Sequence, residues 1–166
     1  MFYRTLKKMV GIFFHTLNLL MGGNLPPLGS VCLVVEEDQR YLVVERDTSE
    51  YVFPGGFMRW QEQPTETARR ECKEETGLDF QPGNLIGYQA STSERINTLT
   101  VIFAGQVSGG PLRPSMEGKP AWLHEDKLRE KLGSTYVEIF DEYLRYRATL
   151  PTQSQMEDST PGSTEV

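Results

Sequence analysis

Three carboxylates, Glu71, Glu74 and Glu75, stand at positions i, i+3 and i+4 in the stretch GFMRWQEQPTETARRECKEETGL. On a helix that spacing puts them on one face, where like charges weaken the helix by a few tenths of a kcal/mol per pair. A hard divalent cation would offset the repulsion, and an all-oxygen ligand set points to Mg²⁺, Mn²⁺ or Ca²⁺ rather than zinc. At about 100° per residue, Ala68, Cys72 and Thr76 share one side. The three acids cover an arc of about 100° that adjoins the Ala/Cys side. A merely solvated charge run would occupy the outermost surface instead. This placement reads as a site at the edge of a core.

The elements around it must hold that helix in place. Pro64 suits a first helical position and Gly77 a C-terminal stop, which predicts a helix from Pro64 to Thr76. Upstream, Ser30 to Val35 and Tyr41 to Val44 are apolar, β-branched runs separated by Glu36-Glu37-Asp38-Gln39, and they read as a hairpin. Tyr51-Val52-Phe53 is a brief strand stopped by Pro54-Gly55-Gly56. Downstream, strands are expected at Leu85–Gln89, Thr98–Gln106 and Ala121–Leu123. Helices are expected from Glu125 to Lys131 and from Thr135 to Thr149, with Ser134 as the cap of the second. Strands, one helix, more strands and terminal helices make a mixed α+β domain.

The segment from Gly56 to Leu78 resembles the Nudix box, Gx5Ex7REUxEExGU, in which U is a bulky aliphatic residue. Gly56, Glu62, Arg70, Glu71, Glu74, Glu75 and Gly77 match its fixed positions and Leu78 its last U, while Cys72 stands at the first U. Cysteine packs as a small hydrophobe, so the departure is mild. The resemblance extends from about residue 29 to about residue 128. It implies a Nudix-type α/β/α sandwich around a mixed β-sheet and a divalent-metal-dependent pyrophosphohydrolase. Its substrate would be a nucleoside diphosphate linked to another moiety. It further implies that Glu71, Glu74 and Glu75 hold the metal, with Mg²⁺ the expected cofactor and Mn²⁺ a substitute. Arg70 would pair with the box carboxylates and hold the preceding loop on the helix, and Gly55 and Gly56 would allow the tight turn beside the substrate. The proton acceptor is either Glu71 or Glu117, since Glu117-Gly118-Lys119-Pro120-Ala121-Trp122 is similar to a MutT-type segment whose glutamate approaches the metals.

Substrate choice is less legible. Arg46, at the end of the second strand, is placed like phosphate-contacting arginines of related enzymes. Arg59 could reach a phosphate and Trp60 could stack on a base; Trp122 reads as core. The marks of ADP-ribose, dinucleoside polyphosphate and NADH hydrolases do not stand at their expected spacings, which leaves nucleoside triphosphates and ADP-ribose or nucleotide-sugar diphosphates both open. The competing class is a catalytically silent Nudix-fold binding or regulatory module. An undamaged box argues against it.

With 166 residues, 38% hydrophobic and 24% charged, the chain supports one domain with a sizeable core. A net charge of −6 argues against general nucleic-acid binding but not against a phosphorylated ligand beside a metal. Two cysteines, Cys32 and Cys72, both in apolar elements, suggest thiols in a reducing cytoplasm. Residues 1–28 form an N-terminal segment in which Phe2, Leu6, Met9, Phe13 and Leu17 recur at helical steps. The segment is too short and polar to span a bilayer. The first expectation is a helix packed on the domain or on the mate of a homodimer; membrane-surface attachment and an export signal are the alternatives. The catalytic domain is expected over residues 29–149, and residues 150–166 read as a disordered tail.

Overall fold

The computed structural model describes residues 2–91 and 97–150. The order of elements is α1 (Phe2–Leu20), β1 (Leu28–Glu37), β2 (Arg40–Glu45), β3 (Tyr51–Val52), β4 (Gly55–Phe57), α2 (Pro64–Thr76), β5 (Asp79–Ser91), β6 (Thr98–Ser108), β7 (Lys119–His124), α3 (Glu125–Lys131) and α4 (Ser134–Thr149). The expectation for the tail falls on residues 151–166, outside the described ones.

β1 organises the sheet because its apolar run is buried on both faces. Val31, Leu33 and Val35 pack with Ala68 and Cys72 of α2 and with Leu78, Phe80 and Phe103. Cys32 and Val34 face the other way, into Leu128 of α3, Ile139, Phe140 and Tyr143 of α4, and Tyr41 and Val43. Helices therefore cover both sides of a mixed sheet, as the resemblance implies. Near its C-terminal end β1 turns into β2 through Asp38 and Gln39, both at positive φ, the hairpin turn that suits strand twist. β1 runs parallel to β6 from Leu28↔Thr98 to Val35↔Gly105, and β6 pairs antiparallel with β5. β2 is flanked by β3 and β7.

Four differences from the sequence reading have physical causes. β3 ends before Pro54, as expected, but Gly55 and Gly56 are themselves strand: with Phe57 they form β4, antiparallel to β1 at Cys32↔Gly55, Val31↔Gly56 and Ser30↔Phe57. A Cβ at Gly55 would collide with the Val31 carbonyl, so the residue with the poorest strand propensity is the one this pairing requires. β5 is longer than expected because Pro82-Gly83 sits at a register shift on an edge strand, where proline costs no ladder bond. Ser134 is the first residue of α4 rather than its cap; Gly133 occupies the cap without a side-chain bond. Finally, α1 forms, but Met9, Ile12, Phe13, Leu19 and Leu20 stand 62–81% exposed, so these side chains are not packed on the domain.

Candidate active site

A cavity of about 640 Å³ opens where β4, α2, the end of β2 and the loop before β7 meet. Its lining includes Arg46, Gly55, Gly56, Arg59, Arg70, Glu71, Glu74 and Glu117, all of them candidates from the sequence. Trp60 is not on the lining; its side chain stands 91% exposed to solvent. Trp122 is partly buried against the α2-side core.

α2 presents its acids in a graded way, as the wheel implies. Glu75 is 1% exposed, Glu71 is 7% exposed, and the Glu74 side chain is half exposed. The helix ends at Thr76 because Gly77 takes a left-handed conformation, φ 81°, and its N–H bonds the Lys73 carbonyl. At the other end Gln63 and Glu66 form a capping box behind Pro64.

Arg70 ties this helix to the loop before it. Its Nε and Nη2 grip both oxygens of Glu62 at 2.7 and 2.9 Å, a bidentate fork. Its Nη1 reaches Glu71 at 2.6 Å and Glu74 at 3.1 Å, and Nη2 also donates to the Phe57 carbonyl at 2.9 Å. Glu62 accepts further bonds from the Arg59 N–H and the Thr67 hydroxyl. The Arg70 guanidinium, aided by these donors, holds the Glu62 carboxyl at about 2, well below the usual range.

Glu75 lies off the cavity lining, bonded to two residues that do line it. It accepts the Gly55 N–H at 2.9 Å and Arg46 Nη2 at 3.1 Å. Burial pushes its carboxyl up to about 8, only partly opposed by the Gly55 N–H and Arg46. Arg46 bridges outward to Glu117, with Nη1 2.7 Å from its carboxylate and 3.2 Å from its carbonyl. That bond lowers the Glu117 pKa. Arg59 pairs with Glu74 at 3.0 Å.

The rest of the lining was not legible in the sequence. Ser30, Gln89, Thr98, Thr100 and Thr135 supply hydroxyls and an amide there, with Tyr136 and Ile139 of α4. Ser30 and Thr100 are register partners in the parallel β1–β6 pair, with their hydroxyls 2.7 Å apart. Nothing in a single sequence announces that pairing; the one clue is a serine opening the apolar run SVCLVV.

The donor set fits a hard divalent cation. It is all carboxylate oxygen, and a side chain at Gly56 would run into the Glu71 carboxylate, 2.6 Å from its Cδ, so the glycine makes room for that acid. Buried Glu75 carries more charge cost than its N–H and one shared arginine relieve, which a dication would supply. Among the described residues no three such ligands stand gathered for one ion; Arg46 and Arg70 bond to the acids that would have to converge.

Known proteins are similar to this chain in sequence and in fold. A MutT-like protein of Streptomyces ambofaciens is 34% identical over 117 residues, covering 68% of this chain and 75% of its own length. An ADP-ribose pyrophosphatase of Methanocaldococcus jannaschii is 29% identical over 129 residues, covering 74% of this chain and 76% of its own. In three dimensions, a NUDIX hydrolase from Nitrosomonas europaea superposes with a TM-score of 0.66 at 28% identity, covering 72% of this chain and 90% of that one. The family model described as NUDIX domain matches residues 25–143, and with the box, the sandwich and the carboxylate helix all in register this chain belongs to the Nudix hydrolases.

Proposed function

We propose that the chain is a divalent-metal-dependent pyrophosphohydrolase that cleaves a nucleoside diphosphate linked to another moiety by attack of water on phosphorus. The observation that carries this reading is the make-up of the cavity lining. It brings Glu71, Glu74 and Glu117 together with Arg46, Arg59 and Arg70, and the other polar side chains of the lining are neutral and mostly hydroxyl-bearing. Glu71, Glu74 and Glu75 would hold Mg²⁺, or Mn²⁺ in its place. The bound metal would supply charge neutralisation at the pyrophosphate and a more acidic water. Arg70 keeps Glu71 and Glu74 in fixed positions, and Arg46 and Arg59 exchange their carboxylate partners for phosphate oxygens when substrate enters. Glu71 or Glu117 accepts the proton of the attacking water. Trp60, exposed on the loop beside Arg59, would contact only a substrate group that projects out of the cavity. Positioning and electrostatics, with no covalent intermediate, carry the rate.

The lining hydroxyls suit a ribose or another sugar, and the relative named as an ADP-ribose pyrophosphatase supports a diphosphate of that kind. The MutT-like relative leaves nucleoside triphosphates in view. The two buried, unpaired thiols suit action in a reducing cytoplasm. The test is kcat/KM with Mg²⁺ across nucleoside triphosphates, oxidised dGTP, ADP-ribose, nucleotide sugars and dinucleotides. The reading expects release of a nucleoside phosphate from at least one class. Tight binding of these ligands without turnover would instead reveal a silent binding module.

A further inference from the structure

We propose that α1 is an interfacial helix that binds this enzyme to the surface of an anionic lipid bilayer. α1 runs 19 residues, Phe2–Leu20, about 28 Å at the usual helical rise. Its large apolar side chains at Met9, Ile12, Phe13, Leu19 and Leu20 are 62–81% exposed, a strip that no part of the domain covers. At about 100° per residue the sequence gathers Arg4, Lys7, Lys8, Gly11, His15 and Asn18 into one arc of about 100° and leaves the remainder apolar but for two threonines. A broad apolar face beside a narrow cationic one is the pattern of a helix lying in the headgroup region. Among the described residues no helix is long and apolar enough to cross a membrane, so α1 lies on the surface rather than through it.

Charge identifies the occupant. The chain has no acid before Glu36, and its first 35 residues carry three cations. The chain totals −6, so the rest of it carries −9. An anionic bilayer satisfies both faces of α1 and repels the acidic domain, which keeps the catalytic cavity in water. A second copy of α1 would cover the apolar strip but bring three more cations and no counter-charge. The connection permits such a division. Gly22 and Gly23 turn the chain at φ 63° and 82°, Gly23 N–H bonds the Asn18 carbonyl at 2.8 Å, and Pro26-Pro27 lead into β1.

The test is co-sedimentation of the full chain with vesicles of phosphatidylcholine alone and of phosphatidylcholine with about one third phosphatidylglycerol. Each cation near an anionic surface contributes about fivefold, so three predict roughly a hundredfold preference for the anionic vesicles at low salt. That preference should collapse in roughly 1 M NaCl, where charges are screened beyond about 3 Å. The double variant Ile12→Asp/Phe13→Asp, at two exposed positions remote in sequence from the box, should lose binding while keeping wild-type thermal unfolding and nucleotide hydrolysis. Three results would overturn the proposal: no binding to either vesicle, equal binding to both, or a lipid-free dimer that the double variant dissociates.

Discussion

Replacing Arg70 by lysine keeps the charge and removes the fork, so it isolates what the geometry contributes. Arg70 makes two bonds to Glu62 and one each to Glu71, Glu74 and the Phe57 carbonyl, and its side chain is only 15% exposed. An ammonium on a flexible stem can serve one or two of these acceptors. Breaking a buried pair outright costs about 3–5 kcal/mol. Retained charge offsets part of that, and the bond to half-exposed Glu74 adds little, so Arg70→Lys should cost about 2–3 kcal/mol. For a chain of this size that lowers Tm by roughly 5–10 °C. Released from their shared donor, Glu71 and Glu74 should lose alignment, and kcat/KM should fall about 10- to 100-fold. Urea unfolding and steady-state kinetics read the two effects separately. A variant that unfolds within about 0.5 kcal/mol of wild type and turns over normally would refute the argument that Arg70 holds the site together.

Gly56→Ala drives a methyl into the Glu71 carboxylate, and the resulting overpacking should cost about 1–3 kcal/mol together with most of the activity; an unperturbed urea midpoint would show that Glu71 can yield. The metal-free protein should lose stability as pH rises from about 4.5 to about 8. Burial raises the native Glu75 pKa from 4.5 to about 8, so in that window the folded chain holds a proton the unfolded chain has released. Glu75→Gln should remove that slope from a series of urea midpoints. The slope should reverse below pH 4.5, where Glu62, depressed to about 2 in the fold, is protonated first in the unfolded chain. Trp60→Ala should leave kcat/KM within about threefold, as a surface change does; a larger loss would show that the indole stacks on substrate.

The carboxylate-bearing helix α2 was readable because its signals are local. Proline at the start, glycine at the stop and three acids beside an Ala/Cys face define α2 over Pro64–Thr76 without reference to any other segment. The β1–β2 hairpin was readable for the same reason. What escaped depends on distant pairings. Gly55 and Gly56 look like a strand breaker until β1 lies against them, when their lack of Cβ becomes the requirement for the contact. The Ser30–Thr100 hydroxyl pair needs the parallel register of β1 and β6, set by segments some seventy residues apart. The Arg46 bridge from Glu75 to Glu117 joins a strand end, a helix and a late loop, and only the fold brings those together. α1 shows the converse: its periodicity foretold a helix, but periodicity alone could not say what the apolar face would meet.

The central claim is that the carboxylates of α2 act through a divalent metal on a pyrophosphate. Glu74→Gln tests it most directly, because that side chain is half exposed and the substitution should leave Tm unchanged. Measured at saturating Mg²⁺ on the best substrate of the nucleotide panel, kcat/KM of Glu74→Gln should fall at least about a hundredfold below wild type. A folded variant that retains turnover within about threefold would contradict the account.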